Sequence, residues 1–170
     1  MNFKQQLEAE LSRKNTDYIV YAAGKNPKHF QELMLIVLKN EEPYSSRAAW
    51  AIDVICENHI NLIYPYISKI IEKLPVFHHF GTCRHMLRIL EKVSIPDDHV
   101  GRLIDFCFDT LLKSEIPVAI KIFGMQIIAN YSERYPELSY ELKHIIEDQW
   151  EKNSVGFQSR GKRILKKLPI

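Results

Sequence analysis

Glycine is scarce in this chain, with only 6 among 170 residues. So little of it leaves few tight turns and no phosphate-cradling glycine loop, and it favours helices joined by short connections. Cysteine is scarcer still, with 3. Cys56, Cys83 and Cys107 are odd in number, lack zinc-finger spacing, and each sits in an apolar, helix-periodic run. Buried reduced thiols in a cytoplasmic protein are the expectation. No apolar run approaches the ~20 residues of a membrane span. The start, Met1-Asn2-Phe3-Lys4-Gln5-Gln6-Leu7, has no apolar stretch of the secretory kind. Net charge is small too: a formal +2 is too little to imply a polyanion partner for the whole molecule.

What is present is a globular composition, 46% hydrophobic and 26% charged, which argues against wholesale disorder and suits one domain spanning residues 1–170. The charge is uneven. Residues 151–170 hold six cations against Glu151 alone, a net of +5, so the other 150 residues net −3.

Prolines punctuate the chain. Asn26-Pro27 reads as an N-cap followed by a first-turn proline. Glu42-Pro43, Leu74-Pro75, Ile95-Pro96, Ile116-Pro117 and Tyr135-Pro136 each end one helix or open the next, because the residue before proline is pushed out of the α region. Between them apolar residues recur at spacings of three and four, predicting helices near 3–13, 16–23, 27–39, 44–58, 61–73, 78–93, 97–113, 117–131, 137–151 and 155–168. No segment alternates as a strand would.

The chain also repeats itself. Ala49-Trp50-Ala51-Ile52-Asp53-Val54-Ile55 lies over Ile122-Phe123-Gly124-Met125-Gln126-Ile127-Ile128 at a step of 73, with Asp53 over Gln126. Arg88-Ile89-Leu90-Glu91-Lys92-Val93 lies over Arg163-Ile164-Leu165-Lys166-Lys167-Leu168 at a step of 75. Intermediate alignments give steps of 38 and 35, the period of a two-helix solenoid unit. Helix 44–58 carries one apolar face in Ala48, Ile52, Ile55 and Cys56 and a second in Trp50 and Val54, as expected of an interior repeat helix. The last helix has one stripe, Phe157, Gly161, Ile164, Leu165 and Leu168, as expected of a terminal cap. The predicted class is all-α: a right-handed α-solenoid of HEAT- or armadillo-like hairpins, about ten helices.

Three stretches, Ser45-Ser46-Arg47-Ala48-Ala49-Trp50, Ile120 to Gln126 and Ser154 to Arg160, with the closing Leu165-Lys166-Lys167-Leu168, resemble a family of small bacterial HEAT-like repeat proteins. The likeness covers most of residues 30–168 and implies an α-solenoid but no activity. Members sometimes carry the label adenylosuccinate lyase. This chain lacks that enzyme's Gly-Ser-Ser loop, and its only adjacent serines, Ser45-Ser46, stand at a helix start.

Candidate sites are few. His79 and Cys83 are four apart and could face one zinc ion, but no further ligand lies at helical spacing. His78 and His85 face another way, and solvent-facing histidines beside a core cysteine are the simpler expectation. Asp97-Asp98 suit a helix N-terminus. No catalytic residue, cofactor or metal is therefore expected. The best functional signal is the basic face of Arg160, Lys162, Arg163, Lys166 and Lys167, which could meet a polyanion or a protein partner. The aromatics Tyr64, Tyr66, Phe106 and Phe108 should lie mostly in the core, with any exposed one marking a binding groove. The sequence thus predicts a non-enzymatic binding or scaffolding module, engaging a protein or peptide on its concave face. Nucleic-acid binding through the basic C-terminal helix ranks second and an enzyme of unknown type third.

Overall fold

The apolar periodicity matures into helices throughout. The computed structural model describes residues 1–170 and contains ten α-helices and no strand. They fall into two compact units, Met1–Pro96 and Asp97–Ile170.

The first unit holds α1 (Phe3–Ala9), α2 (Arg13–Ala23), α3 (Pro27–Lys39), α4 (Tyr44–Cys56), α5 (Ile67–Lys73) and α6 (Phe80–Leu90). Its centre is α4, packed by α1, α2, α3 and α6. Small residues let these neighbours close in, since Ala48, Ala49 and Ala51 are fully buried together with Ile52 and Ile55. Facing them are Phe30, Leu33, Met34 and Val37 of α3 and Met86, Leu87 and Ile89 of α6. Burying side chains of this size contributes about 1.5–3 kcal/mol each. That outweighs the weak intrinsic helix preference of the β-branched positions.

Two local departures from the periodicity have clear causes. The first helix stops at Ala9 rather than near residue 13, because Ser12 caps a new helix by accepting from the Asn15 amide at 3.1 Å. The buried Asn15 then donates to the Gln6 and Glu10 carbonyls, 2.8 Å each, satisfying the end of α1. The expected helix 61–73 begins instead as a 3₁₀ segment, Ile60–Tyr66, and becomes α only at Ile67. Pro65 inside it has no N–H to give the α ladder.

The second unit holds α7 (Asp97–Leu112), α8 (Val118–Tyr131), α9 (Glu137–Asp148) and α10 (Val155–Leu165). Its centre is α8, packed by α7, α9 and α10. Gly124 faces α7, where a Cβ would stand at ordinary contact distance, 3.4 Å from Thr110 Oγ1 and 3.6 Å from the Cys107 carbonyl oxygen. On α10, Phe157, Gly161 and Ile164 are buried, as is Leu168 just beyond it, Leu165 is half-buried, and Lys162, Arg163, Lys166 and Lys167 are exposed. The single-stripe pattern of the last helix is thus realised.

Candidate functional site

The two central helices carry the repeated segment, and each makes a polar seam with the second α-helix after it in sequence. In the first unit the seam joins α4 to α6. Asp53 is 2% exposed in an otherwise apolar row. Its Oδ2 accepts from His85 Nδ1 at 2.7 Å and from Arg88 Nη1 at 2.8 Å, while Arg88 Nη2 reaches Glu57 at 3.1 Å. The other carboxylate oxygen, Oδ1, is buried without a partner. Burial alone would push the Asp53 carboxyl up. Hydrogen bonds from His85 and Arg88, with the nearby positive charge, more than offset this and hold it below its ordinary value. Because Nδ1 donates to a carboxylate, the second ring nitrogen of His85 meets Arg84 Nη2 at 3.1 Å as an acceptor. A guanidinium can only donate, so at this contact Nε2 is the acceptor and is already engaged. The arrangement is a carboxylate–imidazole pair closed off by Arg84, which makes it a staple rather than an exposed base.

Beside this seam lies a groove of about 680 Å³ whose walls include Arg13, Arg47, Trp50, His79, Arg84 and His85. Arg13 is paired with Asp17 at 2.8 Å. Arg47 donates to the carbonyls of Leu7 and Glu8, at 2.7 and 3.3 Å, closing the end of α1. Neither Arg47 nor Arg84 is ion-paired, and Glu42, which lines the same groove, accepts instead from Ser45 and Ser46, so two guanidinium groups stand without a direct carboxylate contact around a half-buried Trp50. The second apolar face expected of α4 is therefore only half covered. Trp50 and Val54 are half-buried, and the fully enclosed residues on that side are Ala49 and Asp53.

The second unit builds the equivalent seam between α8 and α10. Gln126, the counterpart of Asp53, accepts from Arg160 Nη1 at 3.3 Å and donates to Asn130 at 2.9 Å. Arg160 is the counterpart of His85, so the contact confirms the register found in the sequence. Of the five cations of the basic face, Arg160 is thus turned into the seam and half-buried, while Lys162, Arg163, Lys166 and Lys167 face solvent. Arg163 and Lys167 line a groove of about 440 Å³ with Gln126, Asn130, Glu133 and Leu168.

The histidine-rich segment divides differently from its sequence spacing. His79 is the N-cap of α6, its Nδ1 accepting from the Gly81 amide at 3.0 Å, whereas Cys83 is buried in the core. His85 is not solvent-facing but buried on Asp53, a contact across 32 residues. No group of three or more His, Cys, Asp or Glu side chains is placed to hold a metal ion. Burial pushes the Cys56 and Cys83 thiols up to about 12. Of the aromatics, Phe108 is buried, Tyr66 packs against Phe30 with ring centroids 6.0 Å apart, Phe106 is half-buried, and Tyr64 is half exposed at 50%. Sequence reasoning missed the seam of Asp53, His85 and Arg88. The available signal was an acid alone among apolar residues and two bases three apart on a later helix, at matching repeat positions.

A family model described as a HEAT repeat domain matches residues 3–168. No curated protein and no solved structure matches the chain. No helix is long and apolar enough to cross a membrane.

Proposed function

The chain belongs to the HEAT repeat family, and from that premise we propose that it is a non-enzymatic binding module, residues 1–170 acting as one domain, that engages a protein or peptide. The observation that carries this reading is the groove of the first unit, where a half-buried Trp50 stands among Arg47 and Arg84, neither of them ion-paired, while the Glu42 carboxylate of the same groove is bonded to Ser45 and Ser46. Tryptophan and arginine are enriched among the few residues that dominate binding energy at protein interfaces, because each offers large contact area with directional donors. A reaction is not part of the reading. The Asp53–His85 pair has its outer nitrogen bonded to Arg84, and the thiols at about 12 stay protonated. Three buried, unbridged cysteines fit a reducing cytoplasm.

Nucleic-acid binding through the basic helix is the weaker reading, since Arg160 is engaged by Gln126 and Glu133 shares the groove of Arg163 and Lys167.

The test is capture followed by measurement. A protein retained by the tagged chain from cell extract, once purified, should bind the wild type and lose affinity roughly 30-fold to Trp50→Ala, as for a hot-spot residue worth about 2 kcal/mol. Equal affinity for both would overturn the assignment of this groove.

A further inference from the structure

The internal repeat says what the groove of the second unit is missing. At the α4–α6 seam, Arg88 bridges two carboxylates one helical turn apart, Asp53 at 2.8 Å and Glu57 at 3.1 Å. The steps of 73 and 75 carry Asp53 to Gln126, Glu57 to Asn130, Arg88 to Arg163 and Lys92 to Lys167. The Gln126–Arg160 bond shows that the α8–α10 seam keeps this register. Both cations are therefore retained and both acids are replaced by amides. The amides bond to each other at 2.9 Å and leave Arg163 with no hydrogen-bond or ion-pair partner. The four counterpart residues, Gln126, Asn130, Arg163 and Lys167, all line the same groove, with Leu168 as an apolar wall.

We infer that this groove is a second docking site, for an acidic peptide segment of a protein partner whose carboxylates take the place that Asp53 and Glu57 hold in the first unit. The inference rests on the reading of the chain as a protein-interaction module but not on the Trp50 groove. Charge complementarity names the occupant. A guanidinium at this position is satisfied by carboxylate oxygens in the one copy where the partners are built in, and a planar guanidinium matches a carboxylate in two-point geometry. Leu168 offers contact for an apolar neighbour of the acid. Glu133, which also lines the groove, disfavours a continuous phosphate backbone, which cannot place a gap in its charge, whereas a peptide can.

The experiment restores the missing acids. The full chain and its Gln126→Glu/Asn130→Glu variant are titrated by fluorescence anisotropy against a fluorescein-labelled decapeptide of alternating glutamate and leucine, and separately against a labelled single-stranded oligonucleotide. Saturable peptide binding by the wild type, weakened at least ten-fold in the variant and likewise in Arg163→Gln, is the expected result. Both variants change exposed or half-buried side chains, and circular dichroism melts confirm that they fold. Peptide binding unaffected by either change would overturn the inference. So would no peptide binding at all, or binding of the oligonucleotide alone with loss in the same variants, which would give the groove to nucleic acid. Capture through Trp50 is measured with a different protein and a different variant, so either result stands without the other.

Discussion

The α4–α6 seam and the α8–α10 seam are two versions of one construction, and they solve the problem of a buried polar position in opposite ways. The first invests a carboxylate that must be matched on the spot: Asp53 is held by His85 and Arg88, and Arg88 is held again by Glu57. The second uses a neutral amide that needs no counter-charge, so Gln126 is content with Arg160 and Asn130, and Arg163 is left to the solvent. Substituting an amide for an acid thus costs the seam an internal ion pair and frees a cation. The difference teaches that in a repeat array the same side-chain position can be structural in one copy and available for recognition in the next, without any change of backbone register.

The largest expected effect tests the structural side. Asp53→Ala should lower stability by about 1–3 kcal/mol, because it leaves the buried His85 ring nitrogen without its acceptor, whereas Arg88, 35% exposed, keeps Glu57. Gln126→Ala, its counterpart, should cost no more than about 1 kcal/mol, as it removes one long hydrogen bond. Chemical denaturation of the two variants makes the comparison, and equal losses would erase it.

Next in size is a packing contrast on the second unit. A Cβ at Gly161 would meet Ile146 Cγ2 at 2.9 Å and a Trp150 ring carbon at 3.3 Å. Overpacking of this kind costs about 1–3 kcal/mol, against a helix-propensity gain of up to about 1 kcal/mol. Gly161→Ala should therefore destabilise on balance, by about 1 kcal/mol in thermal or denaturant melts. Gly101→Ala, where nothing lies within 4 Å, should stabilise slightly.

A pH series sharpens the contrast further. The Asp53 carboxyl is lowered in the folded chain from the ordinary 3.8. A lowered folded value means that stability is fully present above 3.8 and is lost as pH falls through the folded value. The acid-side loss should shrink in Asp53→Asn and be unaltered in Gln126→Ala, as read from denaturation midpoints between about pH 5 and pH 2. The smallest effect concerns the thiols. With Cys56 and Cys83 at about 12 and Cys107 wholly buried, a maleimide reagent at neutral pH should label native protein far more slowly than unfolded protein.

Much of this architecture is legible in the sequence for a physical reason: helix periodicity and proline punctuation are local. Pro27, Pro43, Pro96, Pro117 and Pro136 all fall at or within a residue or two of helix starts in the structure, and of the stripe Phe157, Gly161, Ile164, Leu165 and Leu168 all but the half-buried Leu165 are buried. The repeat is legible because it depends only on comparison of the chain with itself. What is not local was not legible. His85 looks like one more histidine in a polar run until Asp53, 32 residues earlier, is brought 2.7 Å from it. Likewise the 3₁₀ start of the helix at Ile60–Tyr66 depends on how Pro65 is accommodated, and Trp50 is half-buried because a groove, not a neighbouring helix, adjoins it. The basic face was visible as charge, but that Arg160 belongs to the seam and Arg163 to the groove emerges only from their contacts with Gln126 and its surroundings.

The central claim is that Arg88 is answered within the chain and Arg163 is not. Two parallel double-mutant cycles test it most directly, one on Asp53 and Arg88, the other on Gln126 and Arg163, each built from alanine variants and read by denaturant unfolding. The account predicts a coupling of about 1–3 kcal/mol for the first pair and one within about 0.5 kcal/mol of zero for the second. Couplings of equal size in the two units would contradict it.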